Sequence, residues 1–186
     1  MRRARRDFEH GLHPRRCLDS HRLFFPAPPP KKADLGSTQL SAFWRANMSW
    51  QSYVDNLMAD GSCQDAAIVG YTDAKYVWAS SEGGTFSGIT ADEIDVIVGK
   101  DREAFFTNGL TLGKKKCSVI RDSLPLDGDW TMDIRTKSQG GEPTYNVSVG
   151  RAGKVLVLVM GKEGVHGGGL NKKAYSMAKY LRDSGF

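Results

Sequence analysis

The sequence predicts an α+β fold: a central antiparallel sheet of about seven strands, with the N- and C-terminal helices on one face and shorter helices on the other. Three observations lead there. Short β-rich runs follow one another at close spacing, joined by turn residues. Amphipathic helical patterns stand at both ends of the region 48–186. A separate helix signal falls between the first and later strands.

The elements follow in order. Ser49 is a candidate cap for a helix whose apolar residues Trp50, Tyr53, Val54, Leu57 and Met58 recur at i, i+3, i+4 and i+7. Gly61 ends it. Residues 66–71 and 76–79 read as short strands around a turn at Thr72-Asp73-Ala74-Lys75. Thr90-Ala-Asp-Glu93 is a capping box that opens a short helix through Val98, with Gly99 behind it. Asn108-Gly109 lies between Phe105-Phe106-Thr107 and Leu110-Thr111-Leu112, which predicts a hairpin at that point. Residues 117–121, 131–137, 145–150 and 154–160 complete the strands. Asp127-Gly128, Gly140-Gly141 and Ala152-Gly153 supply turns. A glycine-rich loop over 161–169 leads to a final helix from about Asn171 to Arg182. Alternation puts Asp133, Arg135 and Lys137 on one side of their strand and Met132, Ile134 and Thr136 on the other.

Charge divides the chain. Residues 1–47 hold ten Lys/Arg against four Asp/Glu, a balance of +6; residues 48–186 hold the other 16 against 17, a balance of −1. The basic character of the whole belongs to the first quarter, so it does not make the body a nucleic-acid binder. Residues 1–47 also hold five of the seven prolines and lack sustained periodicity. They read as a disordered basic extension that arises from an upstream alternative start, with Met48 as the usual initiator and 48–186 as the domain. Pro26-Ala27-Pro28-Pro29-Pro30 is a short polyproline II candidate within the extension. Three cysteines, Cys17, Cys63 and Cys117, form no CxxC pair and no metal spacing, which fits reduced thiols in the cytosol, with Cys63 and Cys117 in the interior. No apolar run approaches the ~20 residues of a membrane span.

The segments Trp50-Gln-Ser-Tyr53-Val-Asp-Asn56-Leu-Met, Ala66-Ala-Ile-Val-Gly-Tyr71, Lys116-Cys-Ser-Val-Ile-Arg121-Asp, Met132-Asp-Ile-Arg135-Thr-Lys137 and Met160-Gly-Lys-Glu-Gly-Val-His166-Gly-Gly-Gly resemble the profilin family. The resemblance runs from Met48 to Phe186 and does not reach residues 1–47. Tyr180 and the ending Arg182-Asp-Ser-Gly-Phe186 are similar to the second, neuronal-type vertebrate branch. It implies a cytosolic protein, associated with the cytoskeleton, that binds monomeric actin one to one, proline-rich proteins such as formins, and phosphatidylinositol bisphosphate headgroups. It also implies promotion of nucleotide exchange on actin, with no cofactor and no catalysis of its own.

Residue by residue, the resemblance places a proline-rich ligand on Trp50, Tyr53, Asn56, Tyr76, Trp78, Tyr180, Leu181, Ser184 and Phe186. The residue types suit the task. Indole and phenol rings offer broad faces to pyrrolidine rings and a polar edge to ligand carbonyls. A polyproline II ligand has little freedom to lose on binding. The implied actin face comprises Lys116, Ser118, Val119, Ile120, Arg121, Arg135, Lys137, Thr144, Asn146, Val165, His166, Gly168, Asn171, Lys172 and Tyr175. Arginine there suits bidentate pairing with carboxylates of an acidic partner. Lys116, Arg135, Lys172 and Arg182 match positions of phosphoinositide binding. Several positions depart from many relatives. Tyr180 stands where His is common and Phe186 where Tyr is common. Thr107 replaces an apolar residue, Asp129 a longer acidic residue and Ser176 another acidic residue, so a lower actin affinity than the ubiquitous isoform's is expected.

Taken alone, the charged strand residues are better described as an ordinary solvated surface. His166 has no partner ligands at metal spacing. The stretch from Gly161 to Lys172 fails the phosphate-loop pattern, which argues against a nucleotide-hydrolysing enzyme. The alternative reading is a basic-tailed nucleic-acid or lipid-binding module without actin activity.

Overall fold

The computed structural model describes residues 50–186. The expected cap Ser49, the extension 1–47 and its Pro26–Pro30 segment lie outside the described residues. Residues 50–58 are helical (α1). Then come β1 (Cys63–Gly70), β2 (Val77–Ser80), a 3-10 turn (Thr85–Gly88), α2 (Ala91–Val98), α3 (Glu103–Asn108), β3 (Leu110–Leu112), β4 (Lys115–Asp122), β5 (Thr131–Thr136), β6 (Asn146–Arg151), β7 (Val155–Gly161) and α4 (Gly167–Asp183).

All seven strands form one antiparallel sheet in the order β2-β1-β7-β6-β5-β4-β3. β3 to β7 run as a meander. The β1–β2 hairpin docks on β7, which joins the first strand to the last. Tight turns close the β3–β4 and β6–β7 hairpins, whereas longer loops over 123–130 and 137–145 join β4 to β5 and β5 to β6.

The sheet is covered on both faces. Along β7, Leu156, Leu158 and Met160 enter one apolar cluster with Phe86, Ile94, Ile97 and Phe105, while Val155, Val157 and Val159 enter another with α1 and α4. Strand alternation thus divides one run of apolar residues between two cores. α4 contributes Leu170, Ala174, Met177, Ala178 and Leu181, and α1 contributes Trp50, Tyr53, Val54 and Leu57, each set at helical spacing. α4 lies close on β6 because of Gly150. A Cβ there would stand 2.5 Å from the carbonyl oxygen of Ala174.

The Thr90–Glu93 capping box is present as the sequence predicts. Glu93 does more: its carboxylate also accepts from the backbone N–H groups of Gly113 and Lys114, tying α2 to the β3–β4 turn. That turn, not Asn108-Gly109, closes the hairpin. Phe105 to Asn108 belong to α3, and Gly109, at φ 70°, terminates it. The reason is that Gly109 serves a helix C-terminus as readily as a turn, since both use positive φ. α4 also begins four residues before the expected start. Gly167, Gly168 and Gly169 form its first turn behind His166.

One buried charge pins α4 to the end of α1. Lys173, 8% exposed, donates from Nζ to Leu57 O (3.0 Å), Asp60 Oδ1 (2.7 Å), Ser62 Oγ (2.8 Å) and Cys63 Sγ (3.4 Å). Partial burial raises the Asp60 carboxyl, but hydrogen bonds from Lys173 and Ser62 outweigh it and bring it down to about 2. Cys63 and Cys117 are both free and buried, and burial pushes the Cys117 thiol up to about 12.

Two predictions follow from this packing. Lys173→Met strands the Leu57 carbonyl and removes one donor from the half-exposed Asp60 carboxylate, which keeps its two hydrogen bonds from Ser62, so urea denaturation is expected to register a loss of about 1–2 kcal/mol; a loss under about 0.5 kcal/mol would remove the anchor role. Because the Asp60 pKa is depressed in the folded state, its contribution is full above its ordinary 3.8 and vanishes as pH falls through about 2. The stability gap between wild type and Asp60→Asn should close over that window and stay constant above it. Separately, Gly150→Ala is expected to destabilise by about 2 kcal/mol or more through its clash with α4. Gly169→Ala, which meets nothing within 4 Å, should be neutral or stabilising by about 0.5 kcal/mol. Equal melting shifts for the two would contradict the close-packing account.

Candidate functional site

Two surfaces emerge where the covering helices stop. The first lies beside the termini of the described chain. α1 supplies Trp50 and Tyr53, β2 and the loop before it supply Trp78 and Tyr76, and α4 with the C-terminus supplies Tyr180 and Phe186. Trp50 is the hub. Its ring centroid is 4.9 Å from Trp78, 5.2 Å from Phe186 and 5.6 Å from Tyr53, with Trp78 and Phe186 edge-on. Tyr53 lies 6.3 Å from Tyr180, and Tyr76 lies 6.4 Å from Trp78. These separations and tilts are favourable for aromatic pairs. Phe186 is held by its backbone: its carbonyl accepts from Gly153 N–H and its N–H donates to Leu181 O. The last residue therefore stays beside Trp50.

The arrangement revises part of the expected surface. Tyr53 and Leu181 are fully buried and Trp50 is 6% exposed, so these three form the floor of the groove beneath the more exposed rings. The cause is the close pairing of α1 with α4, which takes the facing residues of both helices into the core. Burial and the neighbouring Tyr180 push the Tyr53 hydroxyl far above the ordinary phenol range. The rings left to a ligand are Tyr76, 54% exposed, with the half-buried Trp78, Tyr180 and Phe186. Asn56 and Ser184 are half-buried at the rim.

The second surface spans β4, β5, β6, the loop after β7 and the first turns of α4. A cleft lined by Arg135, Thr144, Asn146, Lys162, Gly164, Val165 and His166 occupies its centre. Arg135 Nε donates to Thr144 Oγ1 at 3.0 Å, and Asn146 Nδ2 donates to Val165 O at 2.8 Å. The loop and strands are thereby held together. Lys116, Ile120, Arg121, Lys137, Gly168 and Lys172 are exposed, and Ser118, Asn171 and Tyr175 are half-buried. Ile120 is 62% exposed, an apolar residue standing in a cationic field. Val119 is the exception among the expected residues. It is buried in the core because it points to the opposite face of β4.

Two members of this surface were not singled out in the sequence. Lys162 opens the loop after β7, and its glycine-rich context gives no sign that it lines one cleft with Arg135. Asp133 accepts from Arg121, Ser148 and Asn171. Its alternation with Arg135 placed it on this face, but its partners come from three separate elements.

The four expected phosphoinositide residues do not form one patch. Lys116, Arg135 and Lys172 belong to the second surface. Arg182 lies ten residues beyond Lys172 on α4, roughly 15 Å along the helix. Its guanidinium stacks on Trp130, 3.5 Å from the ring centroid, and donates to Arg151 O at 2.6 Å. Burial lowers its pKa, and the group is committed to the β4–β5 connection.

Among the described residues no three of His, Cys, Asp and Glu come together as a metal site. No described helix is long and apolar enough to cross a membrane.

Residues 48–186 match the family model named Profilin. Human Profilin-2 is 85% identical over 137 residues, covering 74% of this chain and 98% of that protein. Bovine Profilin-1 is 64% identical over 135 residues, covering 73% of this chain and 96% of that protein. The solved structure of mouse profilin IIa in complex with a double repeat from the FH1 domain of mDia1 superposes with a TM-score of 0.73 at 85% identity, over 74% of this chain and 99% of that one. Through residues 48–186, this chain belongs to the profilin family.

Proposed function

We propose that this chain binds monomeric actin, regulates its polymerisation and nucleotide exchange, and binds proline-rich ligands and phosphoinositides, without catalysing a reaction. The observation that carries the reading is the 85% identity to Profilin-2 across almost the whole of that protein, together with an aromatic groove at the joined chain ends. The groove takes the proline-rich ligand. Tyr76, Trp78, Tyr180 and Phe186 receive its rings, Asn56 and Ser184 border it, and Trp50, Tyr53 and Leu181 form the floor. The mouse relative's complex with an FH1 double repeat supports a formin segment as one such ligand.

The actin surface is the second one, centred on Arg121, Arg135 and His166, with Ile120 as its exposed apolar contact. Its cations suit an acidic protein partner, and Ile120 gives a desolvated centre to a polar interface. Phosphoinositide headgroups use Lys116, Arg135 and Lys172, so lipid and actin compete for the same residues. Arg182 is left out of that set. The site of action is the cytoplasm, at the cytoskeleton. Residues 1–47 form an extension outside the profilin domain.

The aromatic reading is tested by titrating decaproline against the intrinsic tryptophan fluorescence. Binding should change the emission, and Tyr76→Ala and Trp78→Ala should each weaken it about tenfold, or about 1.4 kcal/mol. Emission indifferent to decaproline would end the assignment. The lipid reading predicts that Lys172→Ala lowers binding to vesicles carrying phosphatidylinositol bisphosphate, whereas Arg182→Ala leaves it within about twofold. The opposite ranking, read by vesicle co-sedimentation, would restore Arg182 to the site.

A further inference from the structure

The β4–β5 ladder contains an irregularity that changes which way Arg121 points. Ser118 opposes Arg135 and Val119 opposes Ile134, but the register then shifts and Arg121 opposes Asp133. Without the shift, Ile120 would face Asp133 and Arg121 would face Met132, which is fully buried. A guanidinium in that register would be directed at the apolar core. The extra residue turns Arg121 to the outer face and leaves Ile120 exposed beside it.

On that face Arg121 meets Asp133. Its Nε donates to Asp133 Oδ2 at 3.0 Å and its Nη2 to Thr131 Oγ1 at 3.3 Å. The other carboxylate oxygen of Asp133 accepts from Ser148 Oγ and Asn171 Nδ2, each at 2.9 Å. One carboxylate therefore gathers donors from β4, β6 and α4. A guanidinium carries five N–H donors in a fixed fork. The contacts to Asp133 and Thr131 occupy the inner edge and leave Nη1 directed away from the anchor. Arg135 is held in the same manner, through Nε to Thr144.

We propose that Asp133 is the positioning residue of the actin-facing surface: it fixes Arg121 by Nε so that the outer edge of the fork is presented to a carboxylate of the partner, and it holds Asn171 of α4 in the same frame. The inference rests on the reading of this surface as the actin face. A simple competitor role for Asp133, in which it neutralises Arg121, fits the geometry less well. Two further donors satisfy the carboxylate independently of Arg121, and they fix its own place.

The test uses the full chain, with Asp133→Asn, Arg121→Ala and the double variant, titrated against monomeric actin. Asp133→Asn is expected to weaken binding about fivefold and Arg121→Ala about tenfold, with the double variant no weaker than Arg121→Ala, because the two act as one unit. Decaproline affinity serves as the control for folding and stays unchanged. In the free protein, the NMR order parameter of the Arg121 Nε–Hε bond should fall to below about 0.6 in Asp133→Asn. Wild-type actin affinity in Asp133→Asn, tighter binding, or effects that multiply in the double variant would overturn the proposal. So would an unchanged order parameter. If wild type fails to bind actin, the reading of the face falls, while the order parameter still decides whether Asp133 governs Arg121.

Discussion

Burial of the sheet on both faces is the constraint on which the rest depends. β7 is apolar throughout and β1 is apolar from Ala66 to Val69, and their alternate residues enter separate cores. The helices close one face throughout and the other over β1, β7 and β6, which leaves only the β4–β5 part of that second face open to a partner. Recognition is displaced to two places: the junction of the chain ends, where α1 meets α4, and the outer strands β4 to β6 beyond the cover of α4. The order β2-β1-β7 brings the first and last strands together, and it carries both terminal helices to the same face. Trp50 and Phe186 thereby become neighbours although the whole domain separates them in sequence.

The two surfaces differ in how their side chains are held. At the groove, rings support rings, and the deepest, Tyr53, is removed from solvent. At the opposite surface, polar side chains are fixed by hydrogen bonds running between elements. Asp133, Thr144 and Asn146 each tie a neighbour from another segment. Such cross-links preorganise an interface and reduce the ordering that binding would otherwise require. Lys173 performs a purely internal version of the task. It joins α4 to the end of α1 and so steadies the frame from which both surfaces are built.

Much of this was legible in the sequence. The Thr90–Glu93 box, the strand alternation around Met132 and Ile134, and the terminal helices all follow from local rules, and local rules acted unopposed there. Asn108-Gly109 misled because positive φ is shared by hairpin turns and helix ends, and only tertiary packing of Phe105 distinguishes them. The start of α4 was displaced because three glycines signal a loop, yet the helix extends back through them. The resemblance places Tyr53, Leu181 and Val119 on binding surfaces, whereas the packing of α1 and α4 and strand alternation bury them. The bulge at Ile120 left no mark in the period of β4. Neither did the place of Lys162 in the cleft beside Arg135, or the convergence of three donors on Asp133, because each depends on segments far apart in sequence.

The central claim is that one rigid domain carries two independent binding surfaces at separate rims of a doubly covered sheet. The most direct measurement is a decaproline titration of the protein alone and of the protein saturated with monomeric actin, followed by isothermal calorimetry. The account predicts the same decaproline affinity within about twofold in both cases, since neither ligand touches the other's residues. Displacement of actin by decaproline, or a tenfold or greater loss of affinity in the saturated protein, would contradict it.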